Sequence, residues 1–180
     1  MNNQNTSSDK KQIIIAEDDN LIIDIINNIL SKYSDEIEKT TVNNAADLIA
    51  ILKKSSKNDS IDAIILDLMM PYGSERPLLD PEESDIDENN TGLNILWCIR
   101  NGQLKNDVAP KWISVITARS SFAVDAKANN LLGSQGKIYY KPFDSFEFED
   151  DLMHAIGIQS KVPSSLLMNN IDDFNDDEDI

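Results

Sequence analysis

Apolar residues in this chain fall into two kinds of segment. Short, nearly continuous runs, at Ile13 to Ala16, Ala63 to Leu66, Trp112 to Ile116 and Ile138 to Tyr140, are separated by longer stretches in which apolar residues recur every three or four positions. Runs of that length and continuity suit strands buried on both faces of a parallel sheet, and the periodic stretches suit amphipathic helices packed against it. The pattern predicts strands over 12–16, 37–42, 61–66, 112–116 and 137–140. It predicts a first helix capped by Asn20, with Leu21, Ile22, Ile25, Ile26, Ile29, Leu30 and Tyr33 turned inward, and a second over Ala45–Lys54. A third opens at Thr91 and buries Leu93, Ile95, Leu96 and Ile99, and a fourth covers Ser121–Leu132. Asp144-Ser145-Phe146-Glu147 has the form of a capped helix start, with Phe148, Leu152, Ala155 and Ile156 inward, and regular patterning fades beyond Gly157. Five strands alternating with five helices predict an α/β fold built on a doubly wound, five-stranded parallel sheet.

The rhythm divides the chain into a polar N-terminal tail over 1–11, one domain over 12–157 and a C-terminal tail over 158–180. It is interrupted once, by 72–90, an acidic insert holding Pro77 and Pro81. The net charge is −16. Gly73–Thr91 holds seven acids and one arginine, and Val162–Ile180 six acids and no base, so these two segments carry −12 of that charge and the domain itself is only mildly acidic. Such a chain repels phosphate backbones, which argues against direct contact with nucleic acid. The single cysteine, Cys98, excludes an internal disulfide and reads as a packed thiol on the third helix. No apolar run approaches the ~18 residues of a membrane span, and the N-terminal residues have no signal-peptide pattern. The expectation is a cytoplasmic protein without membrane contact. Within the insert, Asp85-Ile86-Asp87-Glu88-Asn89 approaches a calcium loop, but Asn90 stands where the turn glycine belongs and Leu96 where the bidentate glutamate belongs. The lone histidine, His154, makes no metal site, and Trp97 and Trp112 read as packing residues.

The chemistry collects where the runs end. The first ends in Glu17-Asp18-Asp19, the third predicted strand in Asp67, the fourth in Thr117-Ala118 and the fifth in Lys141-Pro142. Carboxyl ends of strands are where open α/β sheets bind ligands. Glu17, Asp18 and Asp67 brought together would repel one another and require a cation, and hard oxygen ligands of this number suit Mg2+. Thr117 and Lys141 offer a hydroxyl and an ammonium to phosphate oxygens. An aspartate nucleophile flanked by a metal and by these donors is suited to phosphoryl transfer onto a carboxylate.

Over residues 12–157 the chain resembles the receiver domains of bacterial two-component response regulators. The resemblance rests on Glu17-Asp18, Asp67-Leu68-Met69-Met70-Pro71, Thr117-Ala118 and Lys141-Pro142-Phe143, in that order and at successive strand ends. It implies a flavodoxin-like sheet of strand order 2-1-3-4-5, a phosphoryl group accepted on Asp67 from a histidine kinase or phosphotransfer protein, and a signal passed by protein contacts to a downstream protein that the sequence does not name. It also implies Mg2+ held by Asp18, Asp67 and the Met69 carbonyl, with Glu17 acting partly through water, and phosphoryl oxygens bound by Thr117 and Lys141. Such a protein catalyses only its own phosphorylation and dephosphorylation, and there is room for a phosphorylation-dependent dimer. The chain departs from the family in two places. Tyr72 to Asn90 separate Pro71 from Thr91-Gly92, where the family runs straight on, and Ile138 stands where the family often has an aromatic switch residue. Two other readings share parts of the pattern. A haloacid-dehalogenase-like phosphatase also uses an aspartate, Mg2+, a hydroxyl and a lysine, but places a second aspartate two residues on, where this chain has Met69. A receiver-like binding module that is never phosphorylated has no need of the intact acids, Thr117 and Lys141.

Overall fold

The computed structural model describes residues 10–55, 60–73, 91–104, 109–118 and 121–167. Strands β1 (Lys11–Ala16), β2 (Ile37–Val42), β3 (Ala63–Asp67), β4 (Trp112–Thr117) and β5 (Gly136–Tyr140) alternate with helices α1 (Asn20–Ser31), α2 (Ala45–Lys54), α3 (Thr91–Arg100), α4 (Phe122–Leu132) and α5 (Ser145–Ile156), and a short α6 (Ser164–Leu167) follows. All strand pairs are parallel, in the order β2-β1-β3-β4-β5. This is the doubly wound sheet that the hydrophobic pattern and the resemblance led us to expect.

The sheet separates two apolar cores because successive side chains of a strand point to opposite faces. Ile13, Ile15, Ala63 and Ile65 join Ile26 of α1 and Phe148 and Leu152 of α5 on one side. Ile14, Ala16, Ile64 and Leu66 join Leu48 of α2, Leu96 of α3 and Ala128 of α4 on the other. Every residue of β3 is buried, as a central strand covered on both faces must be.

The elements differ from the sequence reading in several details. β1 starts at Lys11, because its amide bonds the Glu36 carbonyl at 2.8 Å. β3 is displaced toward its carboxyl end and includes Asp67 itself. The cap of α1 is Asp19 rather than Asn20: its backbone is extended and its carboxylate accepts the Leu21 amide at 2.8 Å. Leu21, expected inward, is 68% exposed. Asp144 caps α5 as anticipated, accepting from the Phe146 and Glu147 amides. Patterning fades after Gly157, but packing does not. Gly157 closes α5 in the left-handed conformation at φ 74, which glycine adopts without the Cβ penalty, and Ile158 and Val162 are buried beyond it. Cys98 is buried, and burial pushes its thiol up to about 11; His154 is exposed. Most of the insert, including its calcium-loop-like stretch, and most of both tails lie outside the described residues. No helix among the described residues is long and apolar enough to cross a membrane.

Candidate functional site

Strand register brings the site together. Ala16 lies opposite Leu66, so Glu17 emerges beside Asp67, and Asp67 itself lies opposite Ile116, one residue before Thr117. Thr117 in turn pairs with Tyr140, and Lys141 follows. The Lys141 amide donates to the Thr117 carbonyl at 2.9 Å, extending the β4–β5 ladder to the lysine. β1 and β3 are the neighbours at which the strand order reverses, where crossover helices depart to opposite faces and leave a crevice.

Asp67 is buried, with each carboxylate oxygen engaged. Oδ1 accepts the Met69 amide at 2.9 Å and Oδ2 accepts the Lys141 ammonium at 2.7 Å. Lys141 also donates to Glu17 Oε1 at 2.9 Å, and Oε1 accepts the Asp19 amide at 3.0 Å. Glu17 Oε2 lies 2.8 Å from Lys141 Nζ as an ion-pair contact, yet this buried oxygen has no aligned hydrogen-bond donor. Burial raises the Glu17 carboxyl to about 7; Lys141 opposes the rise and the Asp67 charge adds to it. For Lys141, burial acts to lower the pKa, but hydrogen bonds to Asp67 and Glu17 outweigh it and the net shift is upward. One lysine thus serves two buried carboxylates with a single positive charge, and one oxygen is left without an aligned donor.

Glu17, Asp18 and Asp67 each bring a carboxylate oxygen within 4.8 Å of the others, with Asp18 exposed to solvent and the other two buried. Three converging acids, one with an orphaned buried oxygen, fit a hard divalent cation that keeps part of its water shell. Met69 is half exposed, directly after this cluster, and Thr117 is fully buried at the end of β4. All six residues singled out in the sequence therefore stand at one edge of the sheet.

The sequence reading noted Gly92 at the start of the third helix but gave it no role in the site. A Cβ there would lie 2.0 Å from the Asp67 carbonyl oxygen and 2.7 Å from Leu68 Cα. The Gly92 amide donates to the Leu68 carbonyl at 3.0 Å, so α3 begins against the backbone of the candidate nucleophile. The chain leaves this place through Tyr72, whose carbonyl accepts the Ala46 amide at 3.0 Å, and Asn94 of α3 donates to the Tyr72 hydroxyl at 3.1 Å. Tyr72, where the insert begins, and the start of α3, which follows it, are thereby fastened to the domain.

No family model matches the sequence, and no curated protein matches it. Solved structures do match its fold. A BeF3-activated DrrB receiver domain shares 16% identity over 82% of this chain and 98% of its own length, with a TM-score of 0.55. A response regulator from Thermotoga maritima aligns at 15% identity over 82% of this chain and 98% of its own, with a TM-score of 0.53. The receiver domain of a sensor histidine kinase from Pseudomonas aeruginosa, with a magnesium ion coordinated in its active site cleft, aligns at 20% identity over 82% of this chain and 98% of its own, with a TM-score of 0.55. With strand order, helix placement and these neighbours in agreement, the chain has the fold of a response-regulator receiver domain.

Proposed function

We propose that this chain is a phosphoacceptor receiver, in which Asp67 takes a phosphoryl group from the phosphohistidine of a histidine kinase or phosphotransfer protein and a downstream protein reads the change. The observation that carries this reading is the environment of Asp67, a buried carboxylate held by the Met69 amide and Lys141 beside Glu17 and Asp18. In the reaction a bond forms between an Asp67 carboxylate oxygen and phosphorus as the phosphorus–nitrogen bond to the donor imidazole breaks. The amide and the ammonium fix the carboxylate before attack, so little reorganisation is left for the transition state. Lys141 stays beside the new acyl phosphate and pairs with a phosphoryl oxygen, and the Thr117 hydroxyl supplies a second donor. Glu17, Asp18 and Asp67, with the Met69 carbonyl, are the groups to hold Mg2+. When bound, the ion neutralises charge on the phosphoryl oxygens.

The surface around the site supports a protein donor. Leu21, Met69, Phe122, Tyr140 and Phe146 are the large exposed apolar residues of this edge, each at or just beyond the carboxyl end of a strand. Apolar side chains ringing a polar centre suit an apolar helix face that presents a phosphohistidine. The chain catalyses only its own phosphorylation and dephosphorylation in this account, since the general-acid position of a haloacid-dehalogenase-like phosphatase is occupied by Met69. A cytoplasmic location, with no direct nucleic-acid or membrane partner, accords with the net charge of −16 and the lone buried thiol. The test is incubation with acetyl phosphate and Mg2+. One phosphoryl group of acyl-phosphate lability is expected, lost when the metal is chelated; absence of label, or label indifferent to chelation, contradicts the proposal.

A further inference from the structure

The turn that follows Asp67 is held by two helices before the chain enters the insert. Leu68 gives its carbonyl to the Gly92 amide of α3 at 3.0 Å, and the side chains of Leu68 and Met70 are buried. The carbonyls of Pro71 and Tyr72 go to α2, accepting the Ala45 and Ala46 amides at 3.0 Å each. The first amides of a helix have no partner within it. This turn therefore supplies part of the α2 cap, and Asn44 adds to it by accepting the Asp47 amide at 2.9 Å. A Cβ on Gly73 would lie 2.6 Å from Asn44 Oδ1, so the chain departs hard against that cap.

One side-chain bond joins this turn to α3. Asn94 Nδ2 donates to the Tyr72 hydroxyl at 3.1 Å. Asn94 is 3% exposed, and its Oδ1 is buried with no hydrogen-bond partner among the described residues. A buried amide on a helix that also buries Leu93, Ile95 and Leu96 is costly, and the Tyr72 hydroxyl offsets part of that cost. The pair spans the place where the sequence is interrupted. Residues 74–90 separate Gly73 from Thr91, yet Tyr72 and Asn94 meet across the gap.

We propose that Tyr72 and Asn94 are positioning residues of the acidic site. Their bond restores in space the short link between Met69 and α3 that the insert breaks in sequence, and together with the α2 cap it fixes the backbone of Met69. Met69 is 47% exposed and stands between Leu68 and Pro71, which the two helices hold, so the place of its carbonyl is set by what grips its neighbours. The inference rests on the reading of that carbonyl as a Mg2+ ligand. Loosening the clasp weakens metal binding, while Asp67 keeps its own bonds to the Met69 amide and Lys141.

The test is calorimetric titration of Mg2+ into the full chain, in wild type, Tyr72→Phe, Asn94→Ala, the double variant and Cys98→Ala, alongside acetyl phosphate labelling at rising Mg2+. Cys98→Ala removes a buried thiol from the same helix and leaves the Tyr72–Asn94 bond in place, so it controls for lost stability alone. Each single clasp variant should bind Mg2+ about three- to tenfold more weakly than wild type, the span of one modest hydrogen bond. The double variant should bind no more weakly than the singles, and Cys98→Ala should keep wild-type affinity. Labelling of the clasp variants should need correspondingly more Mg2+ but reach the wild-type rate at saturation. Wild-type affinity in Tyr72→Phe, additive losses in the double variant, or an equal loss in Cys98→Ala would overturn the proposal. Should Asn94→Ala not fold, Tyr72→Phe, which removes one hydroxyl, decides alone. A wild type that binds no Mg2+ overturns the metal reading and the positioning role with it, whereas binding indifferent to Tyr72→Phe overturns the positioning role alone.

Discussion

The Lys141 ammonium lies 2.7 Å from Asp67 Oδ2, although their strands, β5 and β3, are not neighbours. The lysine reaches past the end of β4 and serves Glu17 as well. Replacing it with methionine keeps the stem and leaves two buried carboxylates without their cation. Removing one partner of a buried ion pair costs about 3 kcal/mol. Lys141→Met should therefore melt at a lower temperature without Mg2+ and regain part of the loss when Mg2+ is added. Melting curves unchanged from wild type under both conditions would contradict the electrostatic account.

Gly92 tests whether α3 must start against the nucleophile. In Gly92→Ala the new Cβ meets backbone atoms of Asp67 and Leu68, which have no rotamer through which to yield. Overpacking of this kind costs about 1–3 kcal/mol, and here it displaces Asp67. The expected result is lower stability in urea together with slower acetyl phosphate labelling. Alanine tolerated in both assays would show that the insert, not the glycine, sets the approach of α3.

Docking of a protein donor can be separated from chemistry. Leu21 and Phe146 project from the first turns of α1 and α5 and pack into neither core. Leu21→Asp and Phe146→Asp should leave acetyl phosphate labelling intact while slowing transfer from a phosphohistidine protein by about tenfold, the equivalent of ~1.4 kcal/mol. Equal loss with both donors would locate the defect in the site.

The sequence carried most of this architecture because strand continuity and helical periodicity are local. β2 and α2 have the very bounds that the pattern predicted, Ile37–Val42 and Ala45–Lys54. The site was legible for a related reason: four strands ending in acid, acid, hydroxyl and lysine converge once the sheet is parallel. What periodicity missed depends on distant partners. Glu149 stands outside the apolar stripe expected of α5, yet it is buried, bonded to Tyr33 at 2.7 Å and Lys32 at 2.5 Å from the far end of α1. Leu21 falls on the apolar stripe of α1, but it lies in the first turn beside the polar site, beyond the reach of the core. The segment after Gly157 has no pattern because it is held by single contacts, not by a repeating face.

Those contacts yield a further prediction. The Tyr33 hydroxyl accepts the Lys161 amide at 2.7 Å, the Lys161 ammonium lies 4.6 Å from the Tyr33 ring centroid, and Ile158 and Val162 are buried nearby. Ending the chain after Gly157 removes this clasp and two buried side chains, a loss of about 3 kcal/mol. Urea unfolding should show that loss while acetyl phosphate labelling persists. A truncated chain as stable as the full one would mean that the clasp adds nothing to the fold.

The central claim is that Asp67 is the phosphoacceptor, and site mapping tests it most directly. After acetyl phosphate and Mg2+, borohydride reduction converts an aspartyl phosphate to homoserine, and peptide mass spectrometry locates the changed residue. The account predicts the change at Asp67 and nowhere in Asp67→Asn. Modification at another residue, or equal labelling of Asp67→Asn, would contradict it.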